Sequence, residues 1–232
     1  MNNNLLNIFS YIVLLIYAIF TVGNLYMILQ KKDPERSFFN IFLMPILALF
    51  YFLRFKHHNV FVYLAILAFW IGDVLCTKRN KKNILMGIPL FILGIAFYVI
   101  KLLTLIKISN LNYLLALFIM VAYFGLVFFE VIISYEYASE YFKRDIIFLY
   151  AFAFLNALLC VLAILNAIST YKTGVWYLIF GSNLFLISSS LFLFVAFIKN
   201  NRFFNILLTI TYSIAKLLII IGFGLFLSLL WL

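Results

Sequence analysis

The sequence predicts an all-α, polytopic membrane bundle of about eight transmembrane helices, and three observations carry that reading. Of 232 residues, 68% are hydrophobic and 10% charged, a surface that no water-soluble domain of this size can present. The apolar residues fall in runs of roughly the 20 residues needed to cross a bilayer. Charged residues then gather between the runs, which is where lipid headgroups and water meet them.

The runs are taken in order. Leu5–Leu29 opens the chain. The preceding Met1-Asn2-Asn3-Asn4 has no basic segment and no small-residue cleavage site follows, so the run is expected to be a retained helix, not a signal peptide. Phe38–Leu53 and Val60–Cys76 follow and are the two shortest. Ile84–Ile106, Leu111–Ser134, Ile146–Ile168, Gly174–Ile198 and Phe203–Leu232 complete the set. No linker or soluble insert separates them, so residues 1–232 are expected to form a single integral membrane domain. Intramembrane prolines occur only at Pro45 and Pro89, and no internal repeat is apparent, which argues against a transporter of inverted repeats.

Basic residues set the expected orientation. Alternate connections hold Lys31, Lys32 and Arg36; Lys78, Arg79, Lys81 and Lys82; Lys143 and Arg144; Lys199 and Arg202. On the other side are only Arg54, Lys56, Lys107 and Lys172. The odd-numbered loops are therefore expected in the cytoplasm, with both termini on the opposite face of a cell membrane. The net charge of +10 belongs to these loops, and no basic groove with interleaved aromatics points to nucleic acid.

Inside the spans, the polar residues are the informative ones. Asp73 is a carboxylate within an apolar run, and an acid at bilayer depth marks a functional site unless a nearby cation explains it. Lys78, five positions on, is the alternative partner near the interface. Counting at 1.5 Å per residue places Asn40, Asp73 and Glu130 in one shallow cytoplasmic layer, with Ile95, Ser189 and Tyr212 roughly 15 Å from the interface. Helical spacing groups Gly87, Gly94, Tyr98 and Lys101 on one stripe, Tyr123 with Glu130, Ser182 with Ser189, and Thr209, Tyr212 and Lys216 on a fourth. Small and hydroxyl residues at that spacing also serve as packing contacts between membrane helices. Lys216 is the deepest cation, and both a structural ion pair and a contact with a substrate phosphate are open to it. Lys101, near a span end, is expected to extend to the interface. Glu136, Glu140, Lys143, Arg144 and Asp145 read as a solvated loop with a Glu140–Arg144 helical pair.

Several chemistries are disfavoured. Cys76 and Cys160 lie within spans and support neither a disulfide framework nor a thiolate metal site. His57 and His58 are adjacent, so on a helix they point apart, and no third ligand lies near in sequence. Neither a phosphate-binding glycine loop nor a GxSxG elbow occurs. No cofactor is called for.

Met44-Pro45-Ile46-Leu47-Ala48, Gly72-Asp73-Val74-Leu75, Gly94-Ile95-Ala96-Phe97-Tyr98, Gly181 through Ser190, and Tyr212 resemble, in that order, the YhhN-like lysoplasmalogenase family of eight-span membrane proteins. The likeness covers about Asn40–Ile106 and Tyr177 to the C-terminus. It implies hydrolysis of the vinyl ether bond of a lysoplasmalogen to a fatty aldehyde and a glycerophospho-base. Asp73, Tyr98 and Tyr212 are kept, whereas Asn40, Ile95 and Ser189 stand where the family usually has Lys, His and Asp. Vinyl ether hydrolysis protonates the distal alkene carbon and adds water to the resulting oxocarbenium ion, much as in glycoside hydrolysis. The resemblance assigns the acid to Asp73 and the handling of water to Ser189 with Tyr212, or to Glu130 if span five comes close. Asn40, Tyr98, Glu130 and Lys216 would line the substrate pocket, with Lys216 or the loop cations on the phosphate. The expected partners are a lysophospholipid-like substrate and the bilayer. The other reading is a diverged, non-catalytic member that binds a lysolipid or a membrane partner.

Overall fold

A computed structural model describes residues 3–77, 81–107, 109, 111–142, 146–170, 173–195 and 201–228. Among them the elements are α1 (Asn3–Gln30), α2 (Asp33–Arg54), α3 (Val60–Cys76), α4 (Lys81–Leu103), α5 (Tyr113–Phe142), α6 (Ile146–Thr170), α7 (Thr173–Leu193) and α8 (Arg202–Ser228), with no strand. All but α3 are long and apolar enough to cross a membrane. The chain is an integral, multi-pass membrane protein. At 17 residues α3 spans about 26 Å, slightly less than the hydrocarbon core.

Helix ends move where local chemistry outweighs hydropathy. Asn112 caps α5 by accepting from the backbone N–H groups of Leu114 and Leu115 at 3.1 and 3.2 Å, so the helix starts at Tyr113 and not at Leu111. At its other end α5 continues to Phe142, past Ser134, because no glycine or proline stops a helix as it leaves lipid. Glu136 and Glu140 are thus on a helix instead of in a loop, while Lys143, Arg144 and Asp145 lie outside the described residues. Likewise α4 ends at Leu103, before Ile106, where Thr104 Oγ1 donates to the Lys101 carbonyl at 2.7 Å. The expected run to Ile198 is helical to Leu193, with 196–200 outside the described residues, as are 229–232 after α8.

Consecutive helices pair: α1 on α2, α3 on α4, and α7 on α8, with α6 bridging α4, α5 and α7. Glycines set the close approaches. A Cβ at Gly174 would fall 2.5 Å from the backbone nitrogen of Phe226, and one at Gly181 2.9 Å from that of Ile219, so α7 and α8 touch backbone to backbone. Similarly, Gly72 and Gly94 make room for Phe91 and Phe69 at the α3–α4 seam.

These helices are apolar nearly all round, so hydropathy does not distinguish their inner faces. Exposed positions are Leu, Ile and Phe, as at Leu114 and Phe118 of α5, and these meet lipid. Buried positions hold many of the polar groups within the spans, Asn24, Asp73, Asn205, Thr209, Ser213 and Lys216 among them. The polarity inverts relative to a water-soluble bundle because the solvent around the bundle is hydrocarbon.

Gly174→Ala forces a methyl into backbone and is expected to destabilise the α7–α8 pair by about 1–3 kcal/mol. Gly125→Ala, where nothing lies within 4 Å of the added Cβ, should be neutral or stabilising by up to about 1 kcal/mol. Thermal unfolding of both variants in detergent checks the contrast.

Candidate functional site

Asp73 is 3% exposed, three residues before the last residue of α3, Cys76. Two donors from α8 reach it: Tyr212 Oη donates to Oδ1 at 2.9 Å, and the Lys216 ammonium forms an ion pair with Oδ2. Tyr212 and Lys216 are four residues apart, hence on one face of α8, and the ammonium lies 3.6 Å from the centre of the tyrosine ring. Each member of the triad therefore touches both others. A buried carboxylate in this setting needs such compensation, since either charge alone at this depth costs several kcal/mol.

The surroundings fix the triad in place. Phe185 of α7 packs on the Tyr212 ring at 5.7 Å, and Phe69, one turn before Asp73, packs on Phe185 at 5.4 Å. From α1, the buried Tyr17 donates its hydroxyl to the Ser213 carbonyl at 2.8 Å, tying α1 to α8 beside Tyr212.

A second polar group lies one turn nearer the start of α8. Arg36 Nε donates to Asn24 Oδ1 at 3.2 Å and its Nη2 to Thr209 Oγ1 at 3.4 Å, while Asn24 Nδ2 donates to Asn40 Oδ1 at 3.4 Å. Thr209 Oγ1 itself donates to the Asn205 carbonyl at 2.9 Å. The α1–α2 turn makes this possible: Lys31 takes a left-handed conformation with φ 59°, and the Lys32 N–H reaches the Met27 carbonyl at 3.1 Å. Folding back so tightly sets Asn24 of α1 beside Arg36 and Asn40 of α2.

Of the residues singled out from the sequence, the structure brings Asp73, Tyr212 and Lys216 together. Asn40 joins the Arg36 group. The hydroxyl of Ser189, though buried, donates to the Leu186 carbonyl of its own helix at 2.7 Å and makes no hydrogen bond to Asp73 or Tyr212. Tyr98 contributes its ring, stacked on Phe223 at 5.0 Å and tilted on Phe69 at 5.6 Å, within the apolar wall below Asp73. Glu130 lies on α5, which packs on α6, and its carboxyl neighbours Ser190; among the described residues no hydrogen bond links it to the triad. Ile95 is fully buried in the core. Lys78 lies outside the described residues, and Asp73 takes its cation from Lys216.

The two-layer depth estimate is corrected. Asp73 and Tyr212 share one level, because counting inward from each helix start assumes that all starts lie in one plane. At 27 residues α8 is about 40 Å long against about 26 Å for the 17 residues of α3, so the two helices cannot share both end planes. Asn24 and Tyr17 were not foreseen as site residues, and Arg36 only as one of the loop cations open to a substrate phosphate. The signal for Asn24 was a carboxamide inside an apolar run, and for Arg36 its position one turn before Asn40.

The family model for the YhhN family matches residues 35–223. The chain belongs to the YhhN family. Comparison with curated proteins and with solved structures returned no match. The YhhN match spans Arg36, Asn40, the Asp73 triad and all of α3 to α7, but not Asn24 and Tyr17 of α1. Among the described residues, no three His, Cys, Asp or Glu side chains converge as a metal site.

Lys216→Met leaves the Asp73 carboxylate unpaired and is expected to destabilise the bundle by about 3–5 kcal/mol. The double variant Asp73→Asn/Lys216→Met should recover most of that loss. Melting temperatures of the two variants in the same detergent measure the coupling.

Proposed function

We propose that this chain is a membrane-embedded lipid hydrolase of the lysoplasmalogenase type, acting on the vinyl ether bond of a lysoplasmalogen. The observation that carries the reading is the triad: a carboxyl group, withdrawn from water, with an ammonium on one oxygen and a phenol on the other. Membership of the YhhN family supports it.

The chemistry runs through Asp73. A proton passes from the Lys216 ammonium to Asp73 and from there to the alkene carbon distal to the ether oxygen. The carbon bonded to that oxygen becomes an oxocarbenium centre, and the carboxylate now beside it stabilises the charge. Water adds its oxygen to this centre and gives a proton to Asp73, whose Oδ1 is held in place by Tyr212, and Asp73 passes that proton back to Lys216, restoring the ion pair. The hemiacetal then collapses: its hydroxyl proton goes to the glycerol oxygen as the carbon–oxygen bond breaks, releasing fatty aldehyde and glycerophospho-base. No metal or redox partner enters the balance. The water-handling role given to Ser189 with Tyr212 passes to Asp73 in this scheme, because the Ser189 hydroxyl is bonded to the Leu186 carbonyl.

The second reading is a lysolipid-binding member without turnover. It is favoured by Ile95, a side chain without acid–base capacity buried in the core, and by the absence of a second acid–base group from α7 at the triad. Aldehyde release from a defined lysoplasmalogen by the purified protein decides between the two. Wild type should release aldehyde, and Asp73→Asn should reduce the rate by about 10²–10⁴-fold with unchanged binding of the saturated ether analogue. Release from neither protein, with both folded, establishes the binding reading instead.

We also propose that the odd-numbered connections face the cytoplasm in the cell membrane, from the distribution of Lys and Arg. In a Cys76→Ser/Cys160→Ala background, a cysteine introduced by His57→Cys should react with an impermeant maleimide on intact cells. One introduced by Thr77→Cys should react only after permeabilisation.

A further inference from the structure

We infer that the Lys216 amine is a covalent site for an apolar aldehyde, which it holds as a reversible imine with Asp73 as counter-ion. This joins the hydrolase reading at the released aldehyde. Its test supplies the aldehyde directly, so it stands or falls separately from turnover.

Two features of the triad lead there. An ion pair that served packing alone would be better made by arginine, whose guanidinium meets both carboxylate oxygens at once and keeps its proton. Here the two oxygens are divided: the Lys216 ammonium takes Oδ2 and the Tyr212 phenol takes Oδ1. Lysine becomes a nucleophile on giving up one proton, and the acceptor for that proton is already hydrogen-bonded to it. The second feature is charge. A ligand that displaced the ammonium would leave the buried carboxylate uncompensated. An iminium formed on the same nitrogen keeps the positive charge in place, so Asp73 stays paired.

The condensation balances with these groups. The ammonium proton passes to Asp73, and the freed nitrogen lone pair bonds to the aldehyde carbon as the carbonyl π pair moves to oxygen. One proton then shifts from nitrogen to that oxygen. Asp73 gives its proton to the resulting hydroxyl, water leaves with the carbon–oxygen electron pair, and the nitrogen lone pair closes the carbon–nitrogen double bond. Ammonium and aldehyde have become iminium and water, and the carboxylate is regained.

The surroundings set the ligand class. The Lys216 nitrogen lies 3.6 Å from the centre of the Tyr212 ring, on which Phe185 packs at 5.7 Å. Further along α8 the buried positions are Ile219, Ile220 and Phe223. Such groups offer water no partner, which disfavours hydrolysis of the imine. They also suit an aliphatic chain, whereas a sugar or a keto acid would bring hydroxyls or a carboxylate that they leave unpaired.

The test uses the full-length protein in detergent, with hexadecanal as probe, cyanoborohydride to reduce the imine to a stable secondary amine, and peptide mapping. Lys216 should gain one hexadecyl group about ten- to a hundredfold faster than the exposed Lys31, Lys32 and Lys56. Heat-unfolded protein should lose that preference, and Lys216→Arg, which keeps the charge, should lose this adduct alone. Labelling of the exposed lysines with Lys216 unmodified, or a preference that survives unfolding, overturns the site and leaves a structural ion pair. Both readings come from the wild type, so they decide even where Lys216→Arg does not fold. An adduct without aldehyde release from a lysoplasmalogen retains the site and rejects the hydrolase, and release without an adduct does the reverse.

Discussion

Burying one carboxylate in a hydrocarbon solvent constrains the rest of this bundle. Asp73 cannot sit at that depth without a cation, and Lys216 cannot sit on α8 without an anion, so the two positions are interdependent. Their pairing draws the end of α3 against the middle of α8, although the two helices are separated in the chain by four others. Other features of the fold accommodate that contact: the α7–α8 glycines let α8 lie close to its neighbour, the α3–α4 glycines make room for the Phe91 and Phe69 rings, and Tyr17 fastens α1 to the same stretch of α8. Packing of apolar side chains alone does not specify this arrangement, because lipid is as good a solvent for Leu and Phe as the bundle interior.

The same fact explains what could be read from the sequence. Helix number and approximate extent were legible because the runs match the bilayer and charges mark their limits. Ends were not where a cap decides, as at Asn112, or where nothing stops the helix, as beyond Ser134. Asp73 and Lys216 stood out individually as charges among apolar residues. Their mutual contact was illegible, since it depends on where α3 and α8 start relative to the membrane plane, and one-dimensional counting treats those starts as level. Ser189 was open to two readings, a polar interior and a packing contact between helices, and its hydroxyl bonds to the carbonyl three residues earlier in its own helix.

Family membership and site geometry also divide along instructive lines. The YhhN match begins at residue 35, so it takes in Arg36 and Asn40 but none of α1. In the structure, α1 nonetheless supplies the acceptor that orients Arg36 and the tyrosine that bonds to the α8 backbone at Ser213. Here the first helix completes both polar groups. Such a helix is hard to recognise by residue pattern, because one carboxamide and one phenol carry its contribution while its remaining surface is interchangeable lipid-facing hydrocarbon.

Polar side chains inside a membrane bundle have to satisfy one another, because neither lipid nor apolar neighbours can. A stripe along α8 from Thr209 through Tyr212 to Lys216 does so with few residues, taking partners from α2 and α3. Beyond Lys216 the buried positions are Ile219, Ile220 and Phe223, which offer a polar group no partner. The Asp73–Lys216 ion pair therefore stands at the inner limit of the polar stripe, where its two charges have only each other and Tyr212 to balance them.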